Sequence, residues 1–218
     1  MFSSNYNVIR KSPLFSGMDD GQLSASLSLL SAGRAEYCKN SLIISAGSRM
    51  YRFALVLSGV VQVSFTDIDG NEVLMASVSA GDTFGESLCW LGREEIPVSV
   101  TAQTDVCLLW LIPDAIKNET TPLAHILQNR LLSMLAQKTL SMNDRVQVLS
   151  KPSIRQKLIT YFSQCAAQYG SKTFIIPFDR ETLSLYLGVN RSALSRELSA
   201  MQKEGIIEFY KNSFKILK

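Results

Sequence analysis

Histidine and closely spaced cysteine, the residues from which metal sites are usually built, are scarce in this sequence. It has one histidine, His125, and four cysteines, none of them in a CxxC spacing. Structural zinc sites and metal-dependent barrel enzymes need clusters of such ligands, so neither is expected. The same scarcity argues against an iron–sulfur cluster, whereas axial ligation of a haem by His125 stays open. In a reducing compartment, all four cysteines are expected to be free thiols.

Long apolar runs are missing as well. No stretch approaches the roughly 18 apolar residues that a membrane helix needs, and the N-terminus has no apolar core of signal-peptide length. We therefore expect a cytoplasmic chain without a membrane partner. Paired carboxylates occur at Asp67 and Asp69 and at Glu94 and Glu95, in turn-like stretches where solvated side chains are expected. No enzyme activity is predicted.

Glycine recurs at a regular interval in the first half of the chain. The spacing is eleven or twelve residues between Gly47, Gly59, Gly70, Gly81 and Gly92. This rhythm is typical of the short strands of a sandwich or barrel, with a hairpin turn at 67–71. Val61, Val63 and Phe65 alternate with polar residues, as one face of a half-buried strand should. A short helix at 19–30 is predicted ahead of these strands.

The longest helical stretch, residues 119–149, contains no glycine and carries two apolar strips. One strip repeats at alternating intervals of three and four residues, as in a coiled-coil seam: Leu132, Leu135, Thr139, Met142, Val146 and Leu149. The other strip consists of Leu123, Leu127, Leu131 and Met134. Such a helix can pack on its own β-domain with one strip and on a second copy with the other, which predicts a parallel homodimer. Packing of both strips within one chain is the alternative.

Two short helices joined by a tight turn are predicted within residues 179–205. Asp179 is placed to cap the first helix, Gly188 to end it, and Asn190 to cap the second. The second helix would bury Leu194, Leu198 and Met201 and expose two arginines and three serines: Arg191, Ser192, Ser195, Arg196 and Ser199. A polar helix of this kind fits the DNA major groove, where arginine pairs with guanine edges. An ordinary helical hairpin with a solvated face is the alternative.

The residues around this helix pair favour the DNA-binding interpretation. A further amphipathic helix is predicted from Ile154, Leu158, Ile159 and Phe162, and a short strand at 174–176. The apolar stretches 206–209 and 214–217 predict a two-stranded hairpin, which would complete a winged helix.

Charge is divided unevenly along the chain. Residues 151–218 contain 11 Lys and Arg against 5 Asp and Glu, a balance of +6, whereas residues 1–150 contain 11 against 14, a balance of −3. A positive terminal part attached to a mildly negative body is expected when only one part meets phosphates. The charge pattern therefore predicts double-stranded DNA as the partner.

Two motifs, GDTFGE at 81–86 and LGVNRSALSR at 187–196, carry a resemblance that covers nearly the whole chain. With the order of the parts, they resemble the cyclic-AMP receptor and fumarate-nitrate regulator (Crp/Fnr) family of bacterial transcription factors. The resemblance implies an α+β chain in three parts. These are a β-barrel or jelly-roll sensor domain of the cyclic-nucleotide-binding type at 1–118, a dimerisation helix at 119–149 and a winged helix-turn-helix at 150–218.

The resemblance also implies roles for particular residues. Arg191, Ser192 and Arg196 fall where the family reads bases, and Arg180 and Asn190 fall where it contacts the DNA backbone. Gly85 and Glu86 match the start of the family's effector cassette. A small-molecule effector of unknown identity and RNA polymerase are further implied partners.

Two departures from the family pattern change what is expected. Cyclic-AMP-type readers place a glutamate where Ser192 stands, and serine accepts from cytosine less selectively, so a different operator is predicted. The cassette's phosphate-binding arginine and hydroxyl residue match Ile96 and Pro97 here, while Arg93 stands three residues earlier. Without the charge-assisted phosphate contact, cyclic AMP is not expected as the signal.

The apolar residues around the cassette leave two alternatives, a site for a neutral ligand and filled core, of which base rates favour core. The alternative function is a cyclic-nucleotide-type module that regulates a protein partner. Such a module would retain the phosphate cassette and lack a basic recognition surface, which is the opposite of what this sequence has.

Overall fold

The computed structural model describes residues 5–66, 68, 72–92 and 95–217. The predicted turn at 67–71, apart from Ile68, and the residues Arg93 and Glu94 lie outside the described residues. The chain divides into two compact units, Met1–Ala136 and Gln137–Lys218, and the boundary falls within the longest helix.

The first unit begins with two helices, α1 (Tyr6–Lys11) and α2 (Asp20–Leu29). Asp19 caps α2, as predicted, and forms a capping box with Gln22. The buried side of this region consists of Leu23, Leu27 and Leu30, which confirms the predicted helical face.

Eight short strands and two short helices follow. They are β1 (Gly33–Tyr37), β2 (Leu42–Ile44), β3 (Phe53–Ser58), β4 (Val60–Thr66), β5 (Glu72–Ser79), β6 (Thr83–Phe84), α3 (Glu86–Leu91), β7 (Ser99–Ala102), β8 (Val106–Leu111) and α4 (Asp114–Lys117). The strands form two open four-stranded sheets, ordered β1-β8-β3-β6 and β2-β7-β4-β5, with antiparallel neighbours. All six residues of β8 are buried, and the strand lies between β1 and β3 in its sheet.

The predicted alternation in β4 is correct only in its first half. Val61 is fully buried, but Ser64 is buried at 3% exposure while Phe65 is only half-buried. The register with β5 shifts between Val63 and Ser64, where the extra residue, Met75, lies in β5, whereas β4 keeps its register with β7.

The long helix α5 (Pro122–Leu149) begins three residues later than predicted. Proline suits the first helical position because its missing N–H would have no partner there. Leu127, Leu131 and Met134 are buried in the core of the first unit, and Leu123 packs against it. The structure therefore confirms that this strip of the helix packs on the β-domain.

The second unit contains the last turns of α5, then α6 (Ile154–Tyr169), β9 (Thr173–Ile175), α7 (Arg180–Leu187), α8 (Arg191–Lys203), β10 (Ile207–Tyr210) and β11 (Ser213–Ile216). Its three-stranded antiparallel sheet has the order β10-β11-β9. The rings of Phe162, Phe174 and Phe214 contact one another in the core. The predicted winged helix is confirmed, although Ile159 is 44% exposed instead of buried.

Candidate nucleic-acid interface

Short-range hydrogen bonds fix the ends of the two helices of the helix-turn-helix. The Asp179 carboxylate accepts from the Thr182 N–H at 2.7 Å, which caps α7 and lowers the pKa of Asp179. Gly188 ends α7 with a φ of 60°, a left-handed conformation that favours glycine. The Asn190 side chain accepts from the Ser192 N–H at 2.9 Å and so caps α8. The three-residue turn thus connects two capped helices.

The second helix, α8, buries one side and exposes the other. Leu194, Leu198 and Met201 have no exposed surface. The five candidate base-reading or groove-lining side chains are all exposed: Arg191, Ser192, Ser195, Arg196 and Ser199. The structure therefore brings these five residues together on one polar face.

The two arginines of this face differ in their surroundings. Arg191 Nη1 lies 3.0 Å from Glu181 Oε2 of α7, and both side chains are more than 60% exposed. Within the part of the chain that the structure describes, Arg196 has no hydrogen-bond or ion-pair partner. An exposed ion pair contributes little stability, so Arg191 can leave Glu181 at small cost.

The serine hydroxyls on this face are partly used within the helix. Ser192 Oγ donates to Asn190 Oδ1 at 2.6 Å, and Ser199 Oγ donates to the Ser195 carbonyl at 3.0 Å. The Ser192 oxygen is therefore left as a hydrogen-bond acceptor.

Arg180, at the start of α7, is held against the wing, the β10–β11 hairpin. Its guanidinium carbon lies 4.9 Å from the Phe209 ring centroid and 5.1 Å from that of Phe214. Its Nη2 donates to the Lys211 carbonyl at 2.9 Å, and burial lowers the pKa of Arg180. Arg180 therefore ties α7 to the tip of the wing.

Sequence reasoning missed the ion cluster that orients α8. Arg155 of α6 pairs with Glu204 through both terminal nitrogens at 2.7 Å, and its Nε lies 2.5 Å from Glu197. A bidentate contact fixes direction as well as distance, so this cluster sets how α8 lies on α6. The partners lie 42 and 49 residues apart, and no local pattern signals the pairing.

The two residues that match the start of the family's effector cassette, Gly85 and Glu86, are tightly enclosed. Gly85 has a φ of 84°, and a side chain there would meet the Met50 side chain. Glu86 is 2% exposed, and Thr83 Oγ1 donates to its carboxylate at 3.2 Å.

Ile96 is 1% exposed and belongs to the core, whereas Pro97 is exposed. Of the other apolar residues that follow Glu86, Leu88 and Trp90 pack against the same core, whereas Leu91 is 69% exposed. The expectation of filled core is therefore correct for only part of this set.

The second strip of α5 is largely exposed in the single chain. Leu132, Met142 and Val146 are 66%, 61% and 58% exposed, and Leu149 is 39% exposed. Leu135 is half-buried against the first core. The predicted seam is therefore mostly exposed in the single chain, and exposed apolar patches of this kind are typical of interaction surfaces.

The remaining candidates can be placed briefly. The four cysteines are free, and Cys107 is buried. His125 is exposed on α5, and the described residues contain no group of three or more side chains suited to hold a metal ion. None of the described helices is both long and apolar enough to cross a membrane.

Comparison with known proteins gives matches in both units. The family model of the cyclic nucleotide-binding domain matches residues 34–118, and that of the Crp-like helix-turn-helix domain matches residues 156–218. The chain is similar to the transcriptional activator FnrL of Cereibacter sphaeroides, at 26% identity over 78% of this chain and 71% of the relative. It is also similar to the cyclic AMP receptor protein of Thermus thermophilus, at 26% identity over 91% of this chain and 89% of the relative.

Solved structures show the same fold. The catabolite activator protein of Thermus thermophilus superposes with a TM-score of 0.54 at 24% identity, covering 94% of this chain and 93% of the other. The regulator CLP of Xanthomonas campestris gives a TM-score of 0.64 at 15% identity, covering 92% of this chain and 100% of the other. The order of cyclic-nucleotide-binding fold, long helix and winged helix along the chain is therefore shared over nearly the whole length.

Proposed function

This chain belongs to the Crp/Fnr family of DNA-binding transcriptional regulators, and from that premise we propose that it works in the cytoplasm as a homodimer that reads an inverted-repeat operator. The observation that carries the proposal is the exposed face of α8, which presents two arginines and three serines on a unit with excess positive charge. Family members bind DNA and act as dimers. The proposal adds which residues of this chain contact DNA and which form the dimer.

Base reading is assigned to the first turns of α8. Arg191 and Arg196 donate to guanine edges, and the Ser192 oxygen accepts from a base amino group. Ser195 and Ser199 are small and allow the helix to approach the floor of the groove. A serine at 192 makes the base preference there weaker than a carboxylate would.

Backbone contact is assigned to residues at the edge of this face. Asn190 uses its side-chain oxygen as the cap of α8, which leaves its amide N–H groups to donate to a phosphate. Arg180 contributes to the backbone contact by positioning the wing, because its guanidinium donates to the Lys211 carbonyl at the wing tip. These contacts fix the register of the helix without carrying sequence information.

Dimerisation is assigned to the exposed strip of α5. A twin helix would cover Leu132, Met142, Val146 and Leu149 in a coiled-coil seam. A two-fold axis along such a seam places two copies of α8 in successive major grooves, about 34 Å apart.

The signal is assigned to the first unit, and we propose that it is a molecule other than cyclic AMP. The position expected to hold the cyclic phosphate carries the buried, uncharged Ile96, which supplies no donor to a phosphate. Gly85 and Glu86 retain the start of the cassette and would border the site of another small-molecule effector. RNA polymerase is the expected protein partner at the promoter.

Binding to duplex DNA tests the base-reading assignment. With an operator selected from genomic fragments, Arg191→Ala and Arg196→Ala should each weaken binding by about 1–3 kcal/mol. Lys11→Ala, which removes one exposed positive charge from the first unit, serves as the matched control and should change binding little. Equal affinities of the wild type and the Arg191→Ala/Arg196→Ala double variant would contradict the proposal.

A further inference from the structure

Two of the four cysteines share one surface groove. A groove of about 410 Å³ runs along the paired strands β1 and β8, and Cys107 of β8 and Cys38, directly after β1, both line it. We call it the thiol groove. Its other lining side chains include Asn5, Arg34 and Asp105.

The sulfur of Cys107 receives two N–H donors. Arg34 Nε lies 3.0 Å and Asn5 Nδ2 lies 3.7 Å from Cys107 Sγ. The other end of the Arg34 guanidinium pairs with Glu36 at 2.5 Å, which holds the group over the sulfur. The thiolate is the nucleophilic form of cysteine, and it would accept from the same two N–H donors that already face the sulfur.

The strand register brings Cys38 to the same face as Cys107. Cys107 pairs with Glu36, and Cys38 lies two residues beyond Glu36, so both thiols project from one face of the sheet as diagonal neighbours. Cys38 lies one residue past the end of the β1–β8 pairing, and its carbonyl accepts from the Ser41 N–H at 3.1 Å. Cys38 itself is exposed.

The other two cysteines have different surroundings. Burial, with a smaller effect of the Glu86 carboxylate, raises the pKa of Cys89 to about 12. Burial also raises the pKa of Cys165. Both stay protonated near neutral pH, and neither lines the thiol groove. Cys89 and Cys165 therefore serve as slowly reacting thiols with which the oxidation rate of Cys107 can be compared in the same chain.

The charged side chains that line the thiol groove favour a neutral reagent over an anionic one. Glu36 and Asp105 line it together with Arg34, so an anionic ligand would meet two carboxylates and one guanidinium that is already paired. A small neutral oxidant meets no such repulsion.

We infer that the thiol groove is a peroxide-reactive site in which Cys107 is the reacting sulfur and Cys38 the resolving one. The Cys107 thiolate attacks one oxygen of hydrogen peroxide, the O–O bond breaks, and the sulfur becomes a sulfenic acid while hydroxide leaves. The Cys38 sulfur then attacks the sulfenic sulfur, an S–S bond forms, and water leaves after protonation of the departing oxygen. The two thiols are oxidised by two electrons, and the peroxide is reduced to water.

Peroxide treatment of the reduced full-length chain tests this inference. Non-reducing peptide mapping by mass spectrometry should find a disulfide between Cys38 and Cys107. In Cys38→Ser the sulfenic acid should persist on Cys107 and be trapped by dimedone. Arg34→Gln should slow the oxidation of Cys107 by roughly tenfold, because it removes the charged donor. Lys11→Gln, which removes an exposed positive charge elsewhere in the unit, should leave the rate unchanged.

The comparison of thiols within the wild-type chain keeps the test independent of any variant's folding. Cys107 should be oxidised faster than both Cys89 and Cys165. Oxidation of Cys107 at the rate of those two thiols, or oxidation of Cys38 alone, would overturn the inference. Neither outcome changes the expected affinity for DNA. A negative result in the oxidation test would therefore leave the proposed DNA-binding function standing, and the reverse also holds.

Discussion

At the scale of single residues, the helix-turn-helix depends on side chains that act within a few positions of themselves. Asp179, Gly188 and Asn190 begin or end helices through contacts with the next two or three residues. Because these interactions are local, the sequence was sufficient to predict them. The cluster of Arg155, Glu197 and Glu204 could not be predicted, because its members meet only after the helices have packed.

Removal of the α8 cap should be measurable as a loss of stability. Asn190→Ala removes the acceptor for the Ser192 N–H, and we expect the free energy of unfolding to fall by about 1 kcal/mol. Asn190→Ser keeps a side-chain oxygen at this position, so its free energy of unfolding should fall by only a few tenths of a kcal/mol. Urea unfolding followed by circular dichroism checks both variants, and an alanine variant as stable as the serine variant would contradict the capping role.

The cap of α7 should give a pH dependence of known sign. The Thr182 N–H lowers the pKa of Asp179 in the folded chain, so the ionised side chain stabilises the fold above the unfolded pKa, near pH 4. This contribution is lost as the pH falls through the lower, folded value. Asp179→Asn keeps a cap without the charge, and its stability difference from the wild type should therefore shrink between pH 6 and pH 3. A difference that is constant over this range would contradict the prediction.

At the scale of elements, α5 is the clearest case of a pattern that predicted packing. One strip is buried in the first core and the other is exposed, as expected for a helix with two partners. The strand β4 shows the limit of pattern reading, because Ser64 is buried although the alternation predicts an exposed side chain there. The sequence of β4 contains no signal for the extra residue in β5 that shifts the register between the two strands.

The exposed strip should control the oligomeric state. Leu132→Glu combined with Val146→Glu places two charges in the seam of each chain, and we expect light scattering to find monomers at micromolar concentration. Gln137→Glu adds a charge at an exposed position off the seam and should remain dimeric. A wild-type chain that is monomeric at this concentration would contradict the dimer itself.

At the scale of the whole molecule, the uneven distribution of charge follows the boundary between the winged helix and the cyclic-nucleotide-binding fold. The stretch 151–218 has a balance of +6 and contains the winged helix, whereas the stretch 1–150 has a balance of −3 and contains the sensor fold. Neutralisation of phosphates releases counterions, so binding should weaken steeply as salt rises. Composition could predict this distribution, but it could not predict the signal, because the cassette residues depart from the nucleotide-binding pattern at Ile96 and Pro97.

The most direct measurement is selection of duplexes by the purified full-length chain from a random-sequence DNA library. We expect enrichment of an inverted repeat whose half-site centres lie about one helical turn apart, at roughly 10 base pairs. The Arg191→Ala/Arg196→Ala double variant should enrich no such repeat. Bound duplexes that share no sequence, or that share a single half-site without its inverted copy, would contradict a dimeric, sequence-reading regulator.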